Sequence, residues 1–225
     1  MELSSNTIEL LKNFAAINPN IVIGAGSELK TMSVARNIVA KANIEETFPS
    51  TFGIYDLNEF LSVINLVDSP QLKFSDNYVT VAAGSGLSSV RYYFSDPDML
   101  TAPQKEIIMP ATEVKFLLNT ETLNRIKRAA SALGHSEISI KPSGGSIELS
   151  VVDSKDATSN SFAIVTEGDY EEGVDFNFIL NVSNLKVVAE DFEVGISSKL
   201  ISQFKSTKGD TEYFIALEKT STYGA

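Results

Sequence analysis

The chain has 225 residues, 43% of them hydrophobic, and a formal net charge of −11. That is enough apolar chain for two ordinary domains, which rules out a disordered acidic polymer. The absence of cysteine excludes a disulfide framework and a thiolate metal site, and the acidic balance argues against nucleic-acid binding over the whole surface, though not against a local basic strip.

The first element is LSSNTIELLKNFAAIN, an amphipathic helix that carries Lys12, ended by the turn at Asn18-Pro19-Asn20. No basic leader precedes it, so no signal peptide is expected. IVIGAG reads as a short strand, and LKTMSVARNIVAKANI as one longer strand region with partial alternation. A second helix starts at an Asp56 N-cap, with a core face of Leu57, Phe60, Val63, Ile64 and Val67 and an uncharged outer face of Asn58, Ser62 and Asn65. QLKFSD, YVTVAAG and SSVRYYFSD follow as strands. Residues 96–112 contain Pro97, Pro103 and Pro110 with no helical period and read as the connector between domains.

The second half opens with the strand VKFLLN and the helix LNTETLNRIKRAASAL, with Thr120 expected as N-cap and Gly134 as the stop. Leu123, Ile126, Ala130 and Leu133 form its apolar stripe. Arg128 points directly away, Arg125 lies about 60° from it and Lys127 sits on the flank. Three cations on one helix stand out in so acidic a chain; a merely solvated helix face is the bland alternative. EISIKPS, SIELSVVD and SNSFAIVTEG read as strands, the first two joined by a Gly144-Gly145 hairpin. GDYEEGVD reads as an acidic loop. FNFILN runs into a fourth helix, capped by Asn181 and carrying Lys186, and FEVGISS, LISQFKST and TEYFIALEK finish the chain.

The halves repeat each other. Leu3 aligns with Leu118, so that Thr7 meets Thr122, Leu11 meets Ile126, Lys12 meets Lys127 and Ala15 meets Ala130. Further on, Tyr55 aligns with Leu180, and the Asp56 cap meets Asn181. This predicts an internal duplication of about 110 residues per copy, an ordinary domain size. The expected fold class is α+β, with domains at 1–109 (including the connector 96–109) and 110–225, and in each two helices on one face of an antiparallel sheet.

No active site emerges. His135, the one histidine, directly follows a helix end, and with no second His or Cys a zinc or triad role is improbable. Glu45-Glu46 and Glu171-Glu172 read as acidic loop tips. The GAG at Gly24 and GSG at Gly84 lack the Lys-Ser/Thr of a phosphate loop. No stretch approaches the roughly 20 apolar residues of a membrane span. The expectation is a protein without catalysis and without a cofactor.

LLKNFAAIN from Leu10, IYDLNEFL from Ile54, GDY from Gly168 and FNFILNVSNLKV from Phe176 together give the chain its likeness. It resembles the sliding clamps, the DNA polymerase processivity factors, of T4-type bacteriophages, over essentially its full length. The resemblance implies a homotrimeric ring of duplicated clamp domains, with helices lining the hole. It also implies loading by a clamp-loader complex, capture of the polymerase by its C-terminal tail, and a role in late transcription with viral factors and host RNA polymerase. The place would be the cytoplasm of the infected bacterium, with no membrane partner.

The residues agree with such a role. A sliding protein should touch phosphates of duplex DNA without reading bases. Lys12, Arg125, Lys127, Arg128 and Lys186 are the candidate contacts. Glu9 on the first helix and the cation-free Asn58 helix make that lining lopsided towards the second domain. Met99, Leu100, Ile107, Ile108 and Met109 are apolar for a linker and are candidates for docking partner tails; the alternative is that they seal the domains. A β-rich structural oligomer such as a virion component is the competing reading, and an enzyme with an unrecognised carboxylate site is the third.

Overall fold

The computed structural model describes residues 1–156 and 158–224. The chain divides into two compact units, residues 1–106 and 107–225.

In the first unit, α1 (Ser5–Ile17) is followed by β1 (Ile21–Ile23), β2 (Gly26–Met32), β3 (Ile38–Phe48), β4 (Phe52–Ile54), α2 (Leu57–Asn65), β5 (Gln71–Phe74), β6 (Tyr78–Ala82) and β7 (Ser89–Tyr93). All pairings are antiparallel: β1 with β4, β2 with β3, and the ladder β5-β6-β7. Leu10, Leu11, Phe14 and Ile17 of α1 are buried at helical spacing, and so are Leu57, Phe60, Leu61 and Ile64 of α2. Leu61 thus takes the core place expected of Val63, which is only half-buried. Phe48, Phe52, Phe74 and Phe94 form an aromatic cluster, with ring centroids 4.5–6.5 Å apart in the contacting pairs. Phe48 and Phe52, the two fully buried rings, each contribute on the order of 2 kcal/mol by burial.

The start of α1 is held from a distance. Ser4 is the N-cap, its Oγ accepting from Thr7 N at 3.2 Å. Glu46 of β3 accepts from Ser4 N and, at 2.6 Å, from Thr7 Oγ1. Partial burial raises the Glu46 pKa, but these donors outweigh it and hold the carboxyl below its ordinary value. Glu46→Gln should therefore destabilise the protein by about 1 kcal/mol, a modest figure for a charged hydrogen bond because the group is largely solvated. With the folded pKa depressed, this contribution is present above the unfolded carboxyl pKa and is lost as pH falls through the folded one. Denaturant midpoints of the two proteins should converge at acid pH.

In the second unit, β8 (Val114–Leu118) leads into α3 (Thr120–Leu133), β9 (Glu137–Ser143), β10 (Ser146–Val152), β11 (Phe162–Thr166), β12 (Gly168–Tyr170), β13 (Phe176–Asn181), β14 (Phe192–Ser197), β15 (Ile201–Ser206), β16 (Thr211–Ala216) and β17 (Thr222–Tyr223). Two antiparallel layers result, β12-β8-β14-β15-β16 and β11-β10-β9-β13-β17. Leu123 and Ile126 of α3 share an apolar pocket with Phe116, Ile138, Leu180 and Phe204. The aligned starts of α1 and α3, Ser5 and Thr120, agree with the duplication.

Three element assignments need correction. The fourth helix is absent: Asn181 does accept from Ser183 N at 3.0 Å, but a single 3₁₀ turn, Val182–Asn184, follows, and Leu185 leaves the helical region at ψ 51°. Val182, Val187 and Val188 are poor helix formers, and the segment is anchored instead by the buried Leu185 and Val187. Three α-helices are thus found among the described residues. The long strand from Leu29 is two, β2 and β3, because Ser33 builds a turn: its Oγ accepts from Asn37 N and Ile38 N, both at 3.1 Å. GDY is not loop but β12, paired with β8; a Cβ at Gly168 would collide with Ile147 Cδ1 and Lys115 O, so only glycine fits that close approach. The expected connector contains a 3₁₀ turn, Pro97–Met99.

Candidate nucleic-acid interface

α3 carries the cationic site. Its N-cap is Asn119, not Thr120: Asn119 Oδ1 accepts from Thr122 N at 2.8 Å. Thr120 is the first helical residue, and its N and Oγ1 donate to Asp191 Oδ1 at 2.7 and 2.9 Å. These donors keep the Asp191 carboxyl below its ordinary pKa. Asp191 lies just before β14, far away in sequence, so no local pattern announces it. Gly134 closes the helix in the left-handed conformation, φ 69°.

Leu123, Ile126 and Ala130 are buried, as the stripe requires; Leu133, in the last turn, is only half-buried. Arg125 and Arg128 are exposed. The Arg125 guanidinium carbon stands 5.9 Å from the centroid of the Phe162 ring on β11, which restrains that side chain without neutralising it. Lys127 is half-buried, and burial lowers its ammonium pKa. Its half-burial leaves it less accessible to a phosphate than its two exposed neighbours.

The other candidates are dispersed. Lys12 is exposed on α1, as is Glu9 one turn before it. Lys186 is exposed but stands after the 3₁₀ turn rather than on a helix, beside the buried Leu185 that lines the same apolar pocket as Leu123 and Ile126. The outer residues of α2, Asn58, Ser62 and Asn65, are exposed and uncharged. Of the connector candidates, Met99 and Ile108 are 83% and 88% exposed, whereas Leu100, Ile107 and Met109 are half-buried. Leu100 packs against the backbone at Gly53.

A groove of about 640 Å³ opens on the outward face of the β8–β14–β15 layer, with Lys115, Leu117, Asp169, Glu193 and Lys205 on its walls. Its opposite charges stand in cross-strand register, Asp169 with Lys115 and Glu193 with Lys205. Among the described residues there is no cluster of three or more His, Asp or Glu able to hold a metal, and no helix long and apolar enough to cross a membrane.

Residues 4–109 match the family of DNA polymerase processivity factors, and residues 115–219 match the gp45 sliding clamp, C-terminal family. The chain is 36% identical to the sliding clamp of Vibrio phage KVP40, covering 97% of this chain and 99% of that one. It is 30% identical to the sliding clamps of Escherichia phage RB69 and Enterobacteria phage T4, covering 99% of both chains in each case. Solved structures share the fold at low identity. The proliferating cellular nuclear antigen of Entamoeba histolytica aligns with a TM-score of 0.69 at 14% identity over 94% of each chain. That of A. fulgidus, solved with the C-terminal region of FEN-1, aligns at 0.71 and 14% over 98% of each.

Proposed function

The chain belongs to the sliding-clamp family of T4-type bacteriophages, the DNA polymerase processivity factors, and we propose that three copies close into a ring around duplex DNA. The observation that carries this reading is α3, whose exposed Arg125 and Arg128 present cations in a chain of net charge −11. Such a ring attracts DNA to its lining and repels it from its outer surface. Lys12, Lys127 and Lys186 supplement the two arginines. All five would contact phosphates only, which lets the ring slide. The clamp domains are taken as 1–109 and 110–225.

Two strand edges support head-to-tail closure. β7 ends the ladder β5-β6-β7, and β11 ends the layer β11-β10-β9-β13-β17; neither outer edge has a strand partner among the described residues. Each edge presents open backbone N–H and C=O groups, and Val165 on the β11 edge is 57% exposed. Pairing β7 of one copy with β11 of the next satisfies both edges and repeats until the ring closes.

The clamp tethers the replicative polymerase through that enzyme's C-terminal tail, is placed on DNA by a clamp-loader complex, and serves viral late transcription with the host RNA polymerase, all in the cytoplasm of the infected bacterium. It performs no reaction of its own and needs no cofactor. The tail contacts are assigned to Met99, Leu100, Ile107, Ile108 and Met109, supported by the high exposure of Met99 and Ile108. Replacing Ile107 and Ile108 with Ser should weaken a polymerase-tail peptide by about tenfold in fluorescence anisotropy while the trimer persists; unchanged affinity would move the tail site elsewhere. The function itself is tested on a primed circular template with cognate polymerase and loader. Products should lengthen when the protein is added, and unchanged lengths would refute the assignment.

A further inference from the structure

The ladder β5-β6-β7 has one face in the core, with Leu72, Val79 and Val81 buried, and one face outward. Cross-strand register places Lys73, Thr80 and Arg91 in a single row over the outward face, and Tyr78 opposite Tyr93 in the next row. Lys73, Arg91 and Tyr93 are exposed. The Arg91 guanidinium carbon lies 5.2 Å from the Tyr78 ring centroid, and the Tyr78 and Tyr93 centroids are 5.5 Å apart. The remaining outward residues, Gln71, Ala82 and Ser89, are uncharged. The nearest carboxylates in sequence and contact sit at opposite ends: Asp76 in the β5–β6 turn, and Glu2, whose Oε2 accepts from Gln71 Nε2 at 2.9 Å. The middle of the face is therefore cationic and aromatic in an otherwise acidic protein.

We propose that this face binds a short acidic segment of a partner protein, a site separate from the connector and from the cationic helix. The argument is charge complementarity with a fixed spacing. Lys73 and Arg91 stand two strand spacings apart, about 10 Å. Carboxylates three residues apart on a polyproline-II segment, with three residues per turn and a rise of about 3.1 Å per residue, lie on one face and about 9 Å apart. Arg91, stacked on Tyr78, presents a pre-oriented fork that receives one carboxylate in bidentate fashion, and Lys73 receives the other as a point charge. The exposed Tyr93 ring gives an apolar seat for an aromatic side chain between the two acids. Single-stranded nucleic acid is the less suitable ligand, because it requires a longer cationic track along its phosphates than two side chains provide.

The probe is a labelled peptide, Gly-Gly-Asp-Ala-Phe-Asp-Gly-Gly, titrated against the intact wild-type protein by anisotropy, beside the same peptide with Asn for both Asp and beside an oligothymidine. The Asp peptide should saturate in the submillimolar range and the Asn peptide should bind roughly tenfold more weakly, the loss expected for two exposed ion pairs. Lys73→Glu with Arg91→Glu should reproduce that loss for the Asp peptide, and Tyr93→Ala should weaken it several-fold. Equal affinity for the Asp and Asn peptides, no saturation by the Asp peptide at millimolar concentration, or tighter binding of oligothymidine that is lost on Lys73→Glu with Arg91→Glu would each overturn the proposal. The wild-type comparison stands even where the charge-reversed protein is misfolded.

Discussion

Replacing Arg125 and Arg128 together with Ala is expected to weaken binding to duplex DNA by about tenfold, uniformly across base sequences, with little change in folding. Neither side chain belongs to the buried stripe of Leu123, Ile126 and Ala130, and exposed substitutions of this kind shift stability by only about 0.5 kcal/mol. Each cation engaged with a phosphate releases counterions, so the log–log salt dependence should flatten by about 1 for each engaged cation removed. In a ring every copy loses the same two charges, which multiplies the effect. Arg125 also stacks on Phe162, at the β11 edge, so its loss reaches beyond DNA contact. Arg128→Ala has no such second consequence and gives the cleaner salt slope. Lys127→Ala should matter less, because that ammonium is already partly withdrawn from solvent. A double variant with the wild-type slope would remove α3 from the DNA path.

The second large effect concerns closure. Ala163 and Val165 are exposed on β11, and Arg91 is exposed on β7. Ala163→Lys with Val165→Lys places two cations on the edge that the proposed pairing brings beside Arg91. Lysine on an edge strand opposes strand addition, and like charges across strands repel. The subunit dissociation constant should rise at least ~100-fold, about 2.7 kcal/mol. Sedimentation at micromolar concentration should then show monomer where the wild type shows trimer, with circular dichroism unchanged because both positions already face solvent. A variant that remains trimeric would place the seam on other strands.

Much of this fold was legible because its signals are local. α3 follows from its apolar period and Gly134, and the β9–β10 hairpin from Gly144-Gly145; α1 and α3 start at aligned residues, as the repeat requires. What escaped depends on distant partners or on competition between weak preferences. The Asn181 cap is real, yet the valines after it do not sustain a helix, and Leu185 and Val187 find burial without one. Glu46 and Asp191 secure the starts of α1 and α3 across long stretches of sequence, which no local motif encodes. Ser33 could have been read as a turn former, since Ser and Asn four residues apart bracket the break between β2 and β3. The cations of α3 were readable as a charge contrast; the stacking of Arg125 on Phe162 and the partial burial of Lys127 were not, because both depend on how β11 and the core pack beneath the helix.

The ring is tested most directly by DNA topology. The protein is loaded onto a nicked circular plasmid with its cognate loader and isolated by gel filtration, and half of the sample is then linearised with a single-site nuclease. A closed ring should co-elute with the circle and be lost from the linear molecule, because it slides off the free ends. Equal retention on circular and linear DNA would contradict encirclement.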